Sequence, residues 1–152
     1  MRYFEESVET MPRKALETLQ IEKLCSMLEQ IYGRNRFYTD KLDAAGIHPD
    51  SIQTLDDLKR LPLTEKSELV QAQSDALPFG SNTTFEESAY SRFHQTSGTT
   101  GTPLRVLDTP ESWDWWGRCW GHVLAGAGLT ENDRMFVPFS FGPFIGFWAA
   151  VE

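Results

Sequence analysis

Residues 95–106 read "QTSGTTGTPLRV". Across positions 95–104 the only aliphatic side chain is Leu104, so the run reads as a loop. Its glycines decide what kind of loop it can be. Gly98 and Gly101 permit positive φ and close approach of the backbone. Consecutive Gly, Ser and Thr residues can turn several N–H groups to one side and make a concave anion site, to which the hydroxyls add donors. Pro103 sets the exit into the next segment. A Walker A loop is excluded, because Gly101 is followed by Thr102 and Pro103 rather than by Lys and Ser/Thr; a GxGxxG turn is absent as well. On composition alone, a plain connection between two strands fits equally well.

The flanks set the context. "AYSRFHQ" before the loop and "PLRVLDT" after it both read as strands. "TPESWDWWGRCWGHVLAGAG" reads as a helix, with Thr109 as N-cap, Pro110 at the first helical position, Glu111 in the first turn, and Gly126 and Gly128 at its end. Its Trp113, Trp116, Trp120, Val123, Leu124 and Ala127 are expected on one face, as core or interface. "LTEND" is expected to turn and "RMFVPF" to form a strand.

Upstream, the spacing of Leu16, Leu19, Leu24, Met27, Leu28 and Ile31 predicts an amphipathic helix over 13–32, stopped at Gly33. A second helix is expected over 36–46. Thr54 followed by Asp57 reads as a capping box opening a short helix that stops before Pro62. Thr64 reads as the N-cap of another helix, with Glu65 and Glu68 near its first turn. The polar stretch "DALPFGSNTTFEES" then marks a change of character. The expected organisation is a helical region over 1–80, then the start of a layered α/β domain over 81–152 that carries the loop at 95–104.

Composition narrows the partners. The chain has 152 residues, 40% of them hydrophobic, with 22 acidic and 14 basic residues and a net charge of -8. A packed core is possible, and neither a nucleic-acid face nor attraction to an anionic membrane fits the charge. The charge-free run 135–151 is shorter than the roughly 20 residues of a membrane helix and is broken by Pro138, Gly142, Pro143 and Gly146. Cys25 and Cys119 form no CxxC pair, so neither a zinc site nor a disulfide framework is expected; two lone cysteines suit a reducing, cytoplasmic location. The acidic start "MRYFEESVETMPRK" is not a secretory signal. His48, His94 and His122 stand isolated, and no catalytic role is assigned to them.

The order of residues in the loop says more than its composition. "TSGTTGTP" resembles the phosphate-binding loop of the adenylate-forming superfamily, Ser/Thr-Ser-Gly-Thr/Ser-Thr-Gly-x-Pro, matched at Thr96, Ser97, Gly98, Thr99, Thr100, Gly101 and Pro103. Many members continue Pro-Lys-Gly. Leu104 and Arg105 stand there instead, which is similar to the phenylacetate–CoA ligase branch. The order of Tyr38, the "AAG" at 44–46, "LDDLKRLPLTEKSEL" at 55–69 and "PFG" at 78–80 resembles the same branch. "VPFSFGPFIGFW" is similar to the aromatic, glycine-rich stretch lining that family's carboxylate pocket.

The resemblance implies a fold, a reaction and a site. The fold is α/β: an N-terminal helical segment, then the start of the layered N-terminal domain of an adenylate-forming enzyme, incomplete. The reaction joins a carboxylic acid to coenzyme A: the carboxylate attacks the α-phosphorus of ATP, pyrophosphate leaves, and the CoA thiol then displaces AMP. Mg²⁺ is expected with ATP. Thr96, Ser97, Gly98, Thr99, Thr100 and Gly101 are implied phosphate contacts, Thr99 and Thr100 being the catalytic hydroxyl donors. Phe139, Phe141, Gly142 and Phe144 are implied to line an acyl or aryl pocket, with plain core packing as the alternative for the aromatics. No residue here is assigned to a metal. The expected partner is a small-molecule carboxylic acid, an aryl acid such as phenylacetate, and a homodimer is left open. The family's adenine-, ribose- and metal-binding residues fall outside the matched region, so the chain is expected to be an N-terminal fragment, inactive alone. A stand-alone phosphate- or nucleotide-binding module and a helical interaction protein without catalysis stay open as alternatives.

Overall fold

A computed structural model describes residues 3–98, 101–138 and 142–148. The order of elements is α1 (Glu6–Glu9), α2 (Arg13–Ile31), α3 (Arg36–Ala44), two 3-10 turns (Pro49–Ser51 and Leu55–Arg60), α4 (Lys66–Asp75), a third 3-10 turn (Glu87–Ala89), β1 (Arg92–Gln95), β2 (Arg105–Asp108), α5 (Pro110–Gly126) and α6 (Ile145–Trp148). The chain forms two compact units, Met11–Glu87 and a second built from Met1–Thr10 with Ser88–Glu152. Among the described residues no helix is long and apolar enough to cross a membrane.

The helical unit gathers around buried Leu28, Leu42, Ile47 and Ile52, with Ile21, Leu24, Ile31, Tyr32 and Leu61 packed against them. Each buried side chain contributes roughly 1.5–3 kcal/mol relative to exposure. Leu28 is the fully buried position of α2. Met27 is 50% exposed, so the apolar stripe is narrower than the sequence spacing predicts. Asn35 caps α3 by accepting the Tyr38 N–H at 3.1 Å, and its amide donates to Asn82 Oδ1 (3.0 Å) and Thr84 Oγ1 (3.1 Å). A buried amide thereby starts a helix and anchors a distant loop. At the other end of α3, Gly46 takes φ +66°. Gly46 N–H donates to the Asp43 carbonyl (2.9 Å) and Ile47 N–H to the Leu42 carbonyl (2.9 Å). This is a Schellman closure, and its apolar pair, Leu42 and Ile47, belongs to the core.

One start matches expectation, capping box included, and one differs. The segment opened by Thr54 is a 3-10 turn, in which Asp57 accepts the Gln53 and Thr54 N–H groups at 3.1 and 2.9 Å and pairs with Arg60 at 3.0 Å. Those donors, the Gln53 N–H foremost, hold its carboxyl well below the usual carboxylate range. Its stabilising contribution is therefore present above the ordinary carboxylate pKa and is lost as pH falls. The N-cap of α4 is Glu65, not Thr64. Glu68 accepts the Glu65 N–H at 2.6 Å and the Lys41 ammonium at 2.6 Å. One carboxylate thus closes the start of α4 and ties it to α3, and the Lys41 partnership drives its pKa down.

In the second unit, β1 and β2 pair antiparallel, with Arg92 opposite Asp108 and Gln95 opposite Arg105. Thr109 caps α5 by accepting the Ser112 N–H at 3.2 Å, with Pro110 in the first turn. Gly128 follows the helix at φ +84°. The expected apolar face of α5 is only partly covered. Trp113 is buried, but Trp116 is 40% and Val123 57% exposed. A different face of α5 is covered by residues 3–10: Arg118 holds the Glu5 carboxylate with two bonds (2.9 and 2.8 Å), His122 meets Glu9 at 3.1 Å, and the Phe4 ring lies where a side chain at Gly121 would stand. The expected strand at "RMFVPF" is also corrected. Residues 134–138 carry no regular structure, and Phe136 is 85% exposed. A strand needs a neighbour to pair with, and among the described residues the sheet has only β1 and β2. The short α6 was not foreseen.

Gly80 is the most closely approached glycine of the helical unit. It takes φ +80°, and an added Cβ would lie 2.9 Å from both Cα and N of the buried Gln73. Gly80→Ala is expected to lower stability by roughly 1–3 kcal/mol, read as a lower denaturant midpoint with an unchanged slope. An unchanged midpoint would contradict this packing.

Candidate functional site

The loop between β1 and β2 is closed at its neck. Thr96 N–H donates to the Leu104 carbonyl at 2.9 Å, and Leu104 N–H donates back to Thr96 Oγ1 at 3.0 Å. This reciprocal pair extends the ladder beyond Gln95. Gly98 takes φ +67°, and its carbonyl accepts the Gly101 N–H at 3.0 Å. A Cβ at Gly98 would lie 2.8 Å from the Gly101 oxygen and 2.8 Å from Pro103 Cγ. The chain doubles back there so closely that no side chain fits. Gly101 also has positive φ, +149°. The two glycines thus do what their positions predict.

The structure brings together two segments that the sequence nominated separately. Gln95 N–H, at the end of β1, donates to the Pro143 carbonyl at 2.6 Å. That bond fastens the segment containing Gly142 and Phe144 beside the start of the loop. Both residues are half-buried. Ser97 is exposed, while Thr96 and Gly98 are half-buried. Thr96 has a task that its type did not announce: its oxygen accepts within the neck, leaving its O–H as the donor. Thr99, Thr100, Phe139 and Phe141 lie outside the described residues.

Beneath the neck lies a pair that residue type alone left unremarked. His94 and Asp108 are both buried, with Nδ1 and Oδ2 3.3 Å apart. The other carboxylate oxygen accepts the Ser112 hydroxyl at 2.8 Å. Burial pushes the His94 pKa down, and the Asp108 charge opposes that shift. Strand alternation was the available signal, since it places Arg92 and His94 on one face and Phe93 and Gln95 on the other. Hydrophobicity would have turned Phe93 inward, yet His94 is the buried one and Phe93 is 45% exposed. The other two histidines are plainly structural. His48 is exposed and stacks edge-on against Tyr32, and His122 pairs with Glu9. Among the described residues no group of three or more His, Cys, Asp or Glu is placed to hold a metal ion.

No family model matches the chain. Its sequence is 34% identical over 139 residues to the phenylacetate-coenzyme A ligase of Escherichia coli (strain K12), covering 91% of this chain and 31% of that protein. It is 34% identical over 143 residues to the phenylacetate-coenzyme A ligase of Thermus thermophilus, covering 94% of this chain and 31% of that protein. In structure it is similar to 2-hydroxyisobutyryl-CoA ligase crystallised with 2-HIB-AMP and CoA in the thioesterification state, with a TM-score of 0.91 and 27% identity over 99% of this chain and 32% of that one.

The fold is therefore that of the N-terminal part of an adenylate-forming CoA ligase. Within that class, the chain is a homologue of the phenylacetate–coenzyme A ligases, spanning about a third of their length.

Because Gly98 combines positive φ with two 2.8 Å approaches, Gly98→Ala is expected to open the loop. The expected result is a loss of roughly 1–3 kcal/mol and amide chemical-shift changes concentrated at residues 95–105. Spectra and stability identical to those of the parent would refute this geometry.

Proposed function

We propose that the chain forms the phosphate-holding part of an ATP-dependent carboxylic acid–CoA ligase that acts on an aryl acid such as phenylacetate. In that reaction the substrate carboxylate oxygen attacks the α-phosphorus of ATP and the bond to pyrophosphate breaks. The thiol sulfur of coenzyme A then attacks the acyl carbon, and AMP leaves. In this reading Thr96, Ser97, Gly98, Thr99, Thr100 and Gly101 contact the phosphates, with the hydroxyls of Thr99 and Thr100 as donors. Donors held in advance around the β- and γ-phosphates stabilise the charge that develops on leaving pyrophosphate. Phe139, Phe141, Gly142 and Phe144 line the pocket for the acid. The loop at 95–104 and the α/β segment beginning near residue 81 act as one functional part.

The observation that carries the reading is the Gln95–Pro143 hydrogen bond. It supports the reading because phosphate and acid must meet at one phosphorus atom, and the bond joins the two segments assigned to them. The relatives are ligases over 91–94% of the chain, which favours an enzyme over a stand-alone binding module or an interaction protein. Magnesium would accompany ATP in such a reaction. The described residues offer it no cluster of acidic or imidazole ligands, so no step is drawn through a metal held by this chain.

Calorimetry on the chain with magnesium pyrophosphate and with magnesium ATP tests the loop. Binding is expected, and Thr99→Ala/Thr100→Ala is expected to weaken it by tenfold or more, the loss of hydrogen bonds to a charged group. A folded double variant with undiminished affinity would overturn the assignment. The reaction class is tested on protein isolated from its natural source, in the length the cell makes: pyrophosphate release that depends on an added aryl acid is expected. Release that no carboxylic acid stimulates would overturn it.

A further inference from the structure

We propose that His94 and Asp108 form a proton-holding pair at the foot of the loop, and that occupancy of the loop by a phosphate polyanion is coupled to proton uptake on the His94 imidazole. The proposal rests on the phosphate-binding reading of the loop.

Geometry comes first. β1 leads into the loop and β2 leads out of it. The register sets His94 opposite Val106 and Arg92 opposite Asp108, so His94 and Asp108 are diagonal neighbours on one face of the hairpin. They are 7% and 8% exposed, and their Nδ1 and Oδ2 atoms lie 3.3 Å apart, with neither in a hydrogen bond among the described residues. A carboxylate this buried is costly unless donors surround it. Ser112 supplies one to Oδ1 at 2.8 Å. The atom facing Oδ2 is His94 Nδ1.

The charges around the ring fix the direction of the coupling. Asp108 faces it from β2. From α5, the neighbours are Ser112 through the carboxylate and Trp113, whose ring centroid is 6.5 Å from that of His94; neither is charged. From β1 itself, Arg92 lies on the same face, its guanidinium 5.6 Å from the Trp113 ring centroid. Burial favours the neutral ring, and Asp108 favours the imidazolium. The opposing influences leave the ring responsive to one further charge. Thr96 follows His94 by two strand residues, about 7 Å. A phosphate charge held by the loop at roughly 7–10 Å raises the pKa of the imidazole by about one unit. Because coupling is reciprocal, the pair then strengthens phosphate binding as pH falls through the pKa of the bound state, until the free state is protonated as well.

The test uses the intact chain and inorganic pyrophosphate as probe. Nitrogen-detected imidazole spectra follow the His94 titration between about pH 5 and 8.5. Saturating pyrophosphate is expected to raise the His94 midpoint by about one unit. Calorimetry near pH 7 in buffers of different ionisation enthalpy counts the protons taken up on binding. His94→Asn keeps a donor towards Asp108 but cannot titrate, so it is expected to bind pyrophosphate with less proton uptake than the parent, which also corrects for protons gained by pyrophosphate itself. A His94 midpoint unmoved by bound pyrophosphate, or equal uptake in parent and His94→Asn, overturns the coupling while leaving the phosphate loop intact. Failure of the parent to bind pyrophosphate overturns the phosphate reading and the coupling with it, and the heat of binding separates that outcome from the others.

Discussion

The antiparallel pairing of Arg92–Gln95 with Arg105–Asp108 is the constraint on which the candidate site depends. It brings Thr96 and Leu104 within reach of each other, and their reciprocal bonds convert a glycine-rich run into a closed loop. Without the ladder, the residues of that loop would each have to be ordered at a cost of about 1–2 kcal/mol apiece. With it, the loop begins and ends at fixed points. The same hairpin buries His94 and Asp108 and presents its outermost N–H, that of Gln95, to Pro143. Neck, buried pair and neighbouring segment are three consequences of one pairing.

The helical unit is organised differently. Its core is small, and much of its order comes from polar side chains that each satisfy two elements at once. Asn35 caps α3 and holds the loop at 82–84; Glu68 closes α4 and binds Lys41. In a small core such double use matters, because each satisfied buried donor or acceptor avoids a penalty of about 1–3 kcal/mol. In the second unit, the Glu5–Arg118 and Glu9–His122 contacts are largely exposed and individually weak. The Phe4 ring in the space opened by Gly121 adds shape to them.

Much of the secondary structure was legible along the chain, and the misses have physical causes. α5 was readable end to end because Thr109, Pro110 and Gly128 act through bonds to their own neighbours. The start of α4 shifted by one residue because Glu65 and Glu68 form their own reciprocal pair, a choice that Lys41 on another helix reinforces. The segment 134–138 has the composition of a strand but no partner to pair with among the described residues. How far the apolar face of α5 is covered was not legible, because periodicity reports which residues share a face, not which face is covered.

By itself the sequence determined the local chemistry of the site: which residues can turn with positive φ, which carry hydroxyls, where α5 begins, and the order of motifs that resembles the CoA ligases. These are properties of a residue and its nearest neighbours, so they can be read along the chain. Tertiary structure decided the rest. It joined Gln95 to Pro143 across 48 residues of chain and set His94 against Asp108 across the hairpin. It also committed the Thr96 oxygen to closing the neck. Such contacts depend on strand register and on packing between distant segments, where a one-residue slip would turn every side chain to the opposite face.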